Sequence, residues 1–158
     1  MAKRHEFLRI VVRGKPYAQA RPRARGFVTK GRAIVTMYDP AANKANKRRV
    51  QDATNLALET RGAEWNATGP MRVTVDIRYP CLRPLKKAKR EACWRAKRPD
   101  IDNVVKWLFD GMQPLVFIDD AQVVELHVRK VEGHQDDPGA TTVLVERILD
   151  EEPDRRML

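Results

Sequence analysis

RPDIDNVVKWLFDGM, Arg98 to Met112, carries an apolar set at helical spacing directly behind a proline and two aspartates. Ile101, Val104, Val105, Leu108, Phe109 and Met112 recur every three or four residues, which predicts an amphipathic helix over Ile101 to Met112 with one face turned to a core. Pro99 disfavours helical geometry in the residue before it and so sets the start. Folding gives no reward for the two acids placed there. Residues two apart in an extended segment point the same way, about 6.6 Å along the chain. Asp100 and Asp102 can therefore aim into one space, and at an effective dielectric of 20 two charges roughly 5 Å apart repel by about 3 kcal/mol. Structural roles compete for both: Asp102 as a helix cap beside Asn103, and Asp100 as the ion-pair partner of Arg98.

On either side of this helix the chain reads as an alternation of short strands and one further helix. Phe7 to Val12 and Ala33 to Met37 are short, apolar and β-branched, as strands are. Between them Lys15 to Arg32, rich in proline, glycine and cations, is read as a loop that orders on a ligand. Asp39-Pro40 is a helix-start signal, with proline in the first helical position, for a helix from Pro40 to Thr60 that closes at Arg61-Gly62. Its Lys44, Lys47, Arg48 and Arg49 are read as a solvated face. Met71 to Tyr79, Gln122 to Lys130 and Thr141 to Ile148 alternate like half-buried strands, with Val124, Leu126 and Val128 as the inner face of the second. The expected fold is α/β of the α+β kind, a small mixed sheet packed by two or more helices. A single domain over residues 1–149 and a frayed tail over 150–158 complete it.

The chain has 158 residues, 42% of them hydrophobic and 33% charged, with a formal net charge of +10. That charge points to a polyanionic partner. From Arg83 to Arg98 eight basic residues stand against the single acid Glu91, more than stability asks of a short segment. Cys81 and Cys93 form no CxxC and no Cys/His cluster, so neither a zinc site nor a disulfide framework is suggested. With no membrane-length apolar run and no secretory signal in MAKRHEFLRI, the expected place is the cytoplasm.

Two further features give the acid pair a chemical reading. Lys106 lies four residues beyond Asp102, on the same helix face, where a surface ion pair is the plain alternative. Asp119-Asp120 then precedes the strand QVVELHV. Aspartates there ordinarily make a turn, but the turn can also bring a carboxylate to the Asp100/Asp102 space. Three or four oxygens meeting there would suit Mg²⁺ or Mn²⁺.

PDIDNVVKWLFDGM followed by FIDDAQVVELHVRK resembles the RusA-type Holliday junction resolvases, whose pattern runs D-x-D-N, a lysine one turn later, a helix ending in Asp plus small residues, and DDxQV entering a strand. The match is strong over Arg98 to Lys130, and GKPYAQARPR, Gly14 to Arg23, adds a weaker one. The resemblance implies a small homodimer that binds branched, four-way DNA and cuts it with magnesium, with no nucleotide cofactor. Carried over by position, Asp100, Asp102 and Asp120 correspond to the catalytic, metal-holding acids and Lys106 to the catalytic lysine. Asp119 accompanies Asp120 as a further metal candidate with an open role. The long basic insert before Pro99 and the tail after Ile148 depart from the smallest members.

Candidate DNA contacts are Lys15, Arg21, Arg23 and Arg25 in the first loop and Lys86, Lys87, Lys89, Arg90, Lys97 and Arg98 before the acids. Trp94 and Trp107 are candidates for stacking on unpaired bases, with packing an equal reading for Trp107. None of His5, His127 and His134 is needed for the chemistry. The competing functions are a non-catalytic junction-binding recombination accessory protein and an RNA-directed protein, since phosphate is common to both polymers.

Overall fold

The structure, a computed structural model, describes residues 6–21, 23–38, 40–81, 93–134 and 136–148. In chain order the elements are β1 (Phe7–Arg13), β2 (Arg23–Thr29), β3 (Arg32–Tyr38), α1 (Ala41–Arg61), β4 (Met71–Tyr79), β5 (Cys93–Trp94), α2 (Ile101–Met112), β6 (Val123–Glu132) and β7 (Ala140–Arg147). The mixed α+β expectation holds. Asp39, the 82–92 part of the basic segment and the tail lie outside the described residues.

Five strands form one sheet in the order β1-β7-β4-β6-β5, and β2 and β3 form a separate two-stranded ribbon. Within the larger sheet β4 and β6 run parallel and the other neighbours antiparallel. A parallel pair needs a long crossover, and here the crossover from β4 to β6 contains α2. Alternate residues of β1, β4 and β7, among them Leu8, Ile10, Val73, Val75, Val143 and Val145, share one core with Val50 of α1 and with Val104, Trp107, Leu108 and Met112 of α2. Arg9, Thr74, Asp76, Arg78, Arg129 and Leu144 line an open groove instead.

The two helices meet at Gly111. A Cβ built there would lie 2.4 Å from the Cβ of Val50 and 3.2 Å from the carbonyl oxygen of Lys47. The missing side chain is thus what allows α2 to press against α1.

Several expectations change. The stretch Lys15 to Arg32 is a loop only in its first part, because Arg23 to Tyr38 folds back as the β2–β3 ribbon, with Lys30 and Gly31 at positive φ in the turn. Pro40 stands just before α1 in extended geometry (φ −54°, ψ 137°) rather than inside its first turn. Arg49 is no solvated side chain: it donates to the carbonyl of Arg13 (2.8 Å) and to Asn46 Oδ1 (2.7 Å) and lies 5.7 Å from the Trp107 ring centre.

The inner face expected for β6 changes only at its start. Met71 pairs with Val123 but Arg72 pairs with Glu125, so Val124 is an extra residue in the ladder. A bulge of this kind shifts the alternation by one. Val123 packs on the core in place of Val124, which is 63% exposed, while Leu126 and Val128 stand opposite the core residues Val73 and Val75 as expected, Leu126 still 43% exposed. No helix of the described residues is long and apolar enough to cross a membrane.

Candidate metal and nucleic-acid site

Asp100 occupies the N-cap position of α2 with extended backbone (φ −74°, ψ 149°), yet its side chain makes no capping hydrogen bond. Asp102 sits in the first turn, where the helix dipole favours a negative charge, and it takes only a 3.4 Å contact from the Asn103 side chain. The capping explanation for these acids therefore fails for Asp100. Lys106 follows one turn on, and all three side chains are exposed. Two carboxylates and an ammonium thus lie along the first half of α2, and beyond the helix dipole's hold on Asp102 no structural duty accounts for them.

Two cations from elsewhere hold this corner. Lys130 of β6 donates from Nζ to the carbonyl of Pro99 (2.7 Å) and to that of Lys97 (2.8 Å). Arg95 donates to the carbonyl of Arg98 (3.0 Å) and to Glu132 Oε1 (2.8 Å), and its guanidinium lies 4.5 Å above the ring of Tyr79. The Tyr79 hydroxyl is pushed up to about 12 by burial, with Arg95 pulling the other way. Sequence reading gave neither cation this role, because their partners are backbone carbonyls, which carry no residue signature.

Asp119 and Asp120 lie at the other end of α2. The Asp119 carboxylate accepts from the backbone N–H of Ala121 (2.8 Å), and Gln122 Oε1 accepts from the N–H groups of Ile118 (2.8 Å) and Asp119 (3.0 Å). Together they close a capped turn before β6. Gln122 also donates to the carbonyls of Ala67 (3.0 Å) and Gly69 (3.1 Å), tying this turn to the chain that enters β4. Asp119 is therefore occupied as a cap, while Asp120 is exposed.

The convergence expected from sequence is not what one chain provides. Asp100 is held at the end of β6 through Lys130, and Asp120 leads into its start. Seven residue steps separate Val123 from Lys130, roughly 23 Å of strand at about 3.3 Å each. Among the described residues no three Asp, Glu, His or Cys side chains come close enough to hold a metal ion. Asp100 and Asp102 alone still fit magnesium, which usually keeps one or two carboxylates and fills its other positions with water and phosphate oxygens.

A stretch of extended chain leads cations past α2. Tyr17 donates to Asn43 Oδ1 (2.6 Å), which also accepts from the Ala20 N–H (3.2 Å), while Asn43 Nδ2 donates to the Ala20 carbonyl (3.0 Å). The Gln19 N–H donates to the carbonyl of Asn103 (3.0 Å), and its side chain to Asp110 Oδ2 (2.7 Å). Asn43, 5% exposed within the otherwise basic start of α1, is the residue that sequence reading missed here. Its replacement leaves the half-buried N–H and carbonyl of Ala20 and the Tyr17 hydroxyl without this partner, so Asn43→Ala is expected to cost about 2 kcal/mol, read as a lower urea midpoint with unchanged slope.

Lys15, Arg21, Arg25, Lys97 and Arg98 are all exposed, with Lys97 also 3.7 Å from Glu132. Lys86, Lys87, Lys89 and Arg90 lie outside the described residues, as does the side chain of Arg23. Trp107 is core: 2% exposed, its indole N–H donates to the carbonyl of Asn46 (2.9 Å). Trp94 is 76% exposed and remains free to stack.

Comparison with known proteins finds similar chains. The sequence profile of the family described as "Endodeoxyribonuclease RusA" matches residues 13–146. An uncharacterized protein of Bacillus subtilis (strain 168), YqaN, is 33% identical over 130 residues, covering 78% of this chain and 86% of its own. A crossover junction endodeoxyribonuclease, rusA, of Lactococcus phage r1t is 38% identical over 63 residues, covering 39% of this chain and 45% of its own.

Proposed function

Because the chain belongs to the RusA endodeoxyribonuclease family, we propose that it is a magnesium-dependent nuclease that resolves four-way DNA junctions as a homodimer, by paired symmetric nicks. The observation that carries this reading is the unused acid pair. Asp100 and Asp102 open α2 without capping it, with Lys106 one turn away and a cationic surface around them. Acids in so basic a setting repel DNA unless a cation stands between carboxylate and phosphate.

Asp100 and Asp102 would hold the metal, with Asp120 the third acid assigned to the reaction. When bound, the ion lowers the pKa of a coordinated water and offsets charge on the scissile phosphate. Lys106 places an ammonium where that phosphate gains negative charge in the transition state. Lys130 and Arg95 fix the backbone ahead of Asp100, so the acids are presented in one orientation. Lys15, Arg21, Arg25, Lys97 and Arg98 draw in the DNA backbone, and Trp94 offers an exposed ring to an unpaired base.

The test is incubation of the purified protein with a labelled four-way junction, with and without Mg²⁺. Paired nicks on opposing strands that require the metal are expected. Binding is expected to weaken steeply as salt rises, since each neutralised phosphate releases counterions. Junction binding without any nicking in Mg²⁺ or Mn²⁺ would instead identify a non-catalytic accessory protein, and a preference for structured RNA would move the substrate class.

A further inference from the structure

The β2–β3 ribbon stands outside the main sheet, and every residue from Ala24 to Met37 is exposed. The pairing of Phe27 with Ile34 and of Gly26 with Val35 sorts its side chains onto two faces. Arg25, Phe27, Thr29, Arg32, Ile34 and Thr36 share one. Ala24, Gly26, Val28, Ala33, Val35 and Met37 share the other, which has no polar side chain at all. Val28 is 73% exposed, Val35 67% and Met37 65%. A two-stranded ribbon alone in water is marginal, and among the described residues nothing covers this face. Burial against a ligand would steady it.

Charge decides what kind of cover it takes. From Arg21 to Tyr38 the chain carries five cations, Arg21, Arg23, Arg25, Lys30 and Arg32, and no acid. Such a ribbon draws a polyanion, whereas a protein surface of mixed charge gains little from it. The base of the ribbon is fixed beside the acids of α2. The Gln19 N–H donates to the carbonyl of Asn103, next to Asp102, and both backbone groups of Ala20 are held by the Asn43 side chain. Strands of seven residues then carry the Lys30-Gly31 turn roughly 20 Å from that base, at about 3.3 Å a residue.

An intact duplex offers little to the apolar face. Its major groove is wide enough for a two-stranded ribbon, but the groove floor is made of polar base edges. The flat faces of bases are bare only where stacking is interrupted, as at the centre of an open four-way junction, and there apolar side chains gain by packing on them. We infer that the ribbon is the element that distinguishes branched from linear DNA. Val28, Val35 and Met37 pack on the base pairs laid bare at the branch point, while Arg25 and Arg32 on the opposite face hold backbone phosphates. This inference rests on DNA being the substrate, and it assigns selectivity to a ribbon separate from the cutting acids.

Binding in EDTA tests the ribbon apart from cutting. Gel shifts compare a four-way junction with a linear duplex of the same arm sequence. Val28→Thr combined with Val35→Thr keeps the β-branched shape and the strand preference but removes apolar surface, so the preference for junction over duplex is expected to fall about tenfold. Arg25→Ala combined with Arg32→Ala is expected to weaken both DNAs and to lower the salt slope by about two. Val28→Trp puts an indole on the apolar face, and its emission, measured against wild type, is expected to be quenched by the junction and not by the duplex. A wild-type preference for the junction in the threonine pair overturns the inference, as does an added indole that the junction leaves bright. An indole that dims with rising protein concentration in the absence of DNA puts another chain on this face and overturns it too. If the wild type binds neither DNA, the reading of DNA as the substrate fails, and the role of the ribbon with it.

Discussion

Asp102→Asn is expected to slow junction cleavage on the order of 10³-fold while leaving the junction bound. The substitution keeps size and shape but removes one of two carboxylates that stand unused at the head of α2, so the metal loses a charged ligand and the scissile phosphate loses its counter-charge. Binding in metal-free buffer should hold or tighten, because a charge that repels DNA has gone. Stability should fall only by about 0.3–1 kcal/mol, the contribution of an exposed acid to a helix N-terminus. Single-turnover nicking, a gel-shift titration in EDTA and a thermal melt read the three quantities separately. Wild-type cutting by this variant would remove Asp102 from the chemistry.

The largest effect on folding is expected from Gly111→Leu, a loss of about 3 kcal/mol. Even a methyl group at this position meets Val50, a fully buried and stiff side chain, at 2.4 Å, so α1 and α2 must separate or tilt. Leucine is the better helix former by roughly 1 kcal/mol, too little to offset the collision. Val50→Ala in the same chain should recover only a small part of the loss, since it removes Cγ1 at 2.7 Å but keeps the Cβ at 2.4 Å. A chemical-denaturation series on the two single variants and the double decides it, and a Gly111→Leu protein as stable as wild type would show that the helices do not press together here.

How much the sequence revealed depended on whether the deciding force was local. α2 and β4 were legible to the residue because an apolar period and a proline or a strict alternation act within a dozen residues. β3 is legible in the β-branched run Ala33 to Met37, but its partner β2 reads as loop because Pro16, Pro22 and the density of cations outweigh the short pattern before the Lys30-Gly31 turn. β6 was found, but its bulge at Val124 comes from pairing with Arg72, and no pattern within the strand announces it. For the site, the residue types were visible and their meeting was not. Sequence spacing does not say at which end of a helix a returning turn arrives, so Asp119 and Asp120 were expected beside Asp100 when they stand a helix length away. The division of labour between those two acids likewise needed the capped turn to be seen, with Asp119 spent on Ala121 and Asp120 left open.

The fastening of the corner ahead of α2 has a consequence for engineering it. Three carbonyls in a row, those of Lys97, Arg98 and Pro99, are each taken by a side-chain donor from Lys130 or Arg95. The corner is thus moored by two removable cables and not by a ladder. Cutting one of them, as in Lys130→Met, should let the carboxylates of Asp100 and Asp102 swing while the sheet stays standing, which separates aim from architecture.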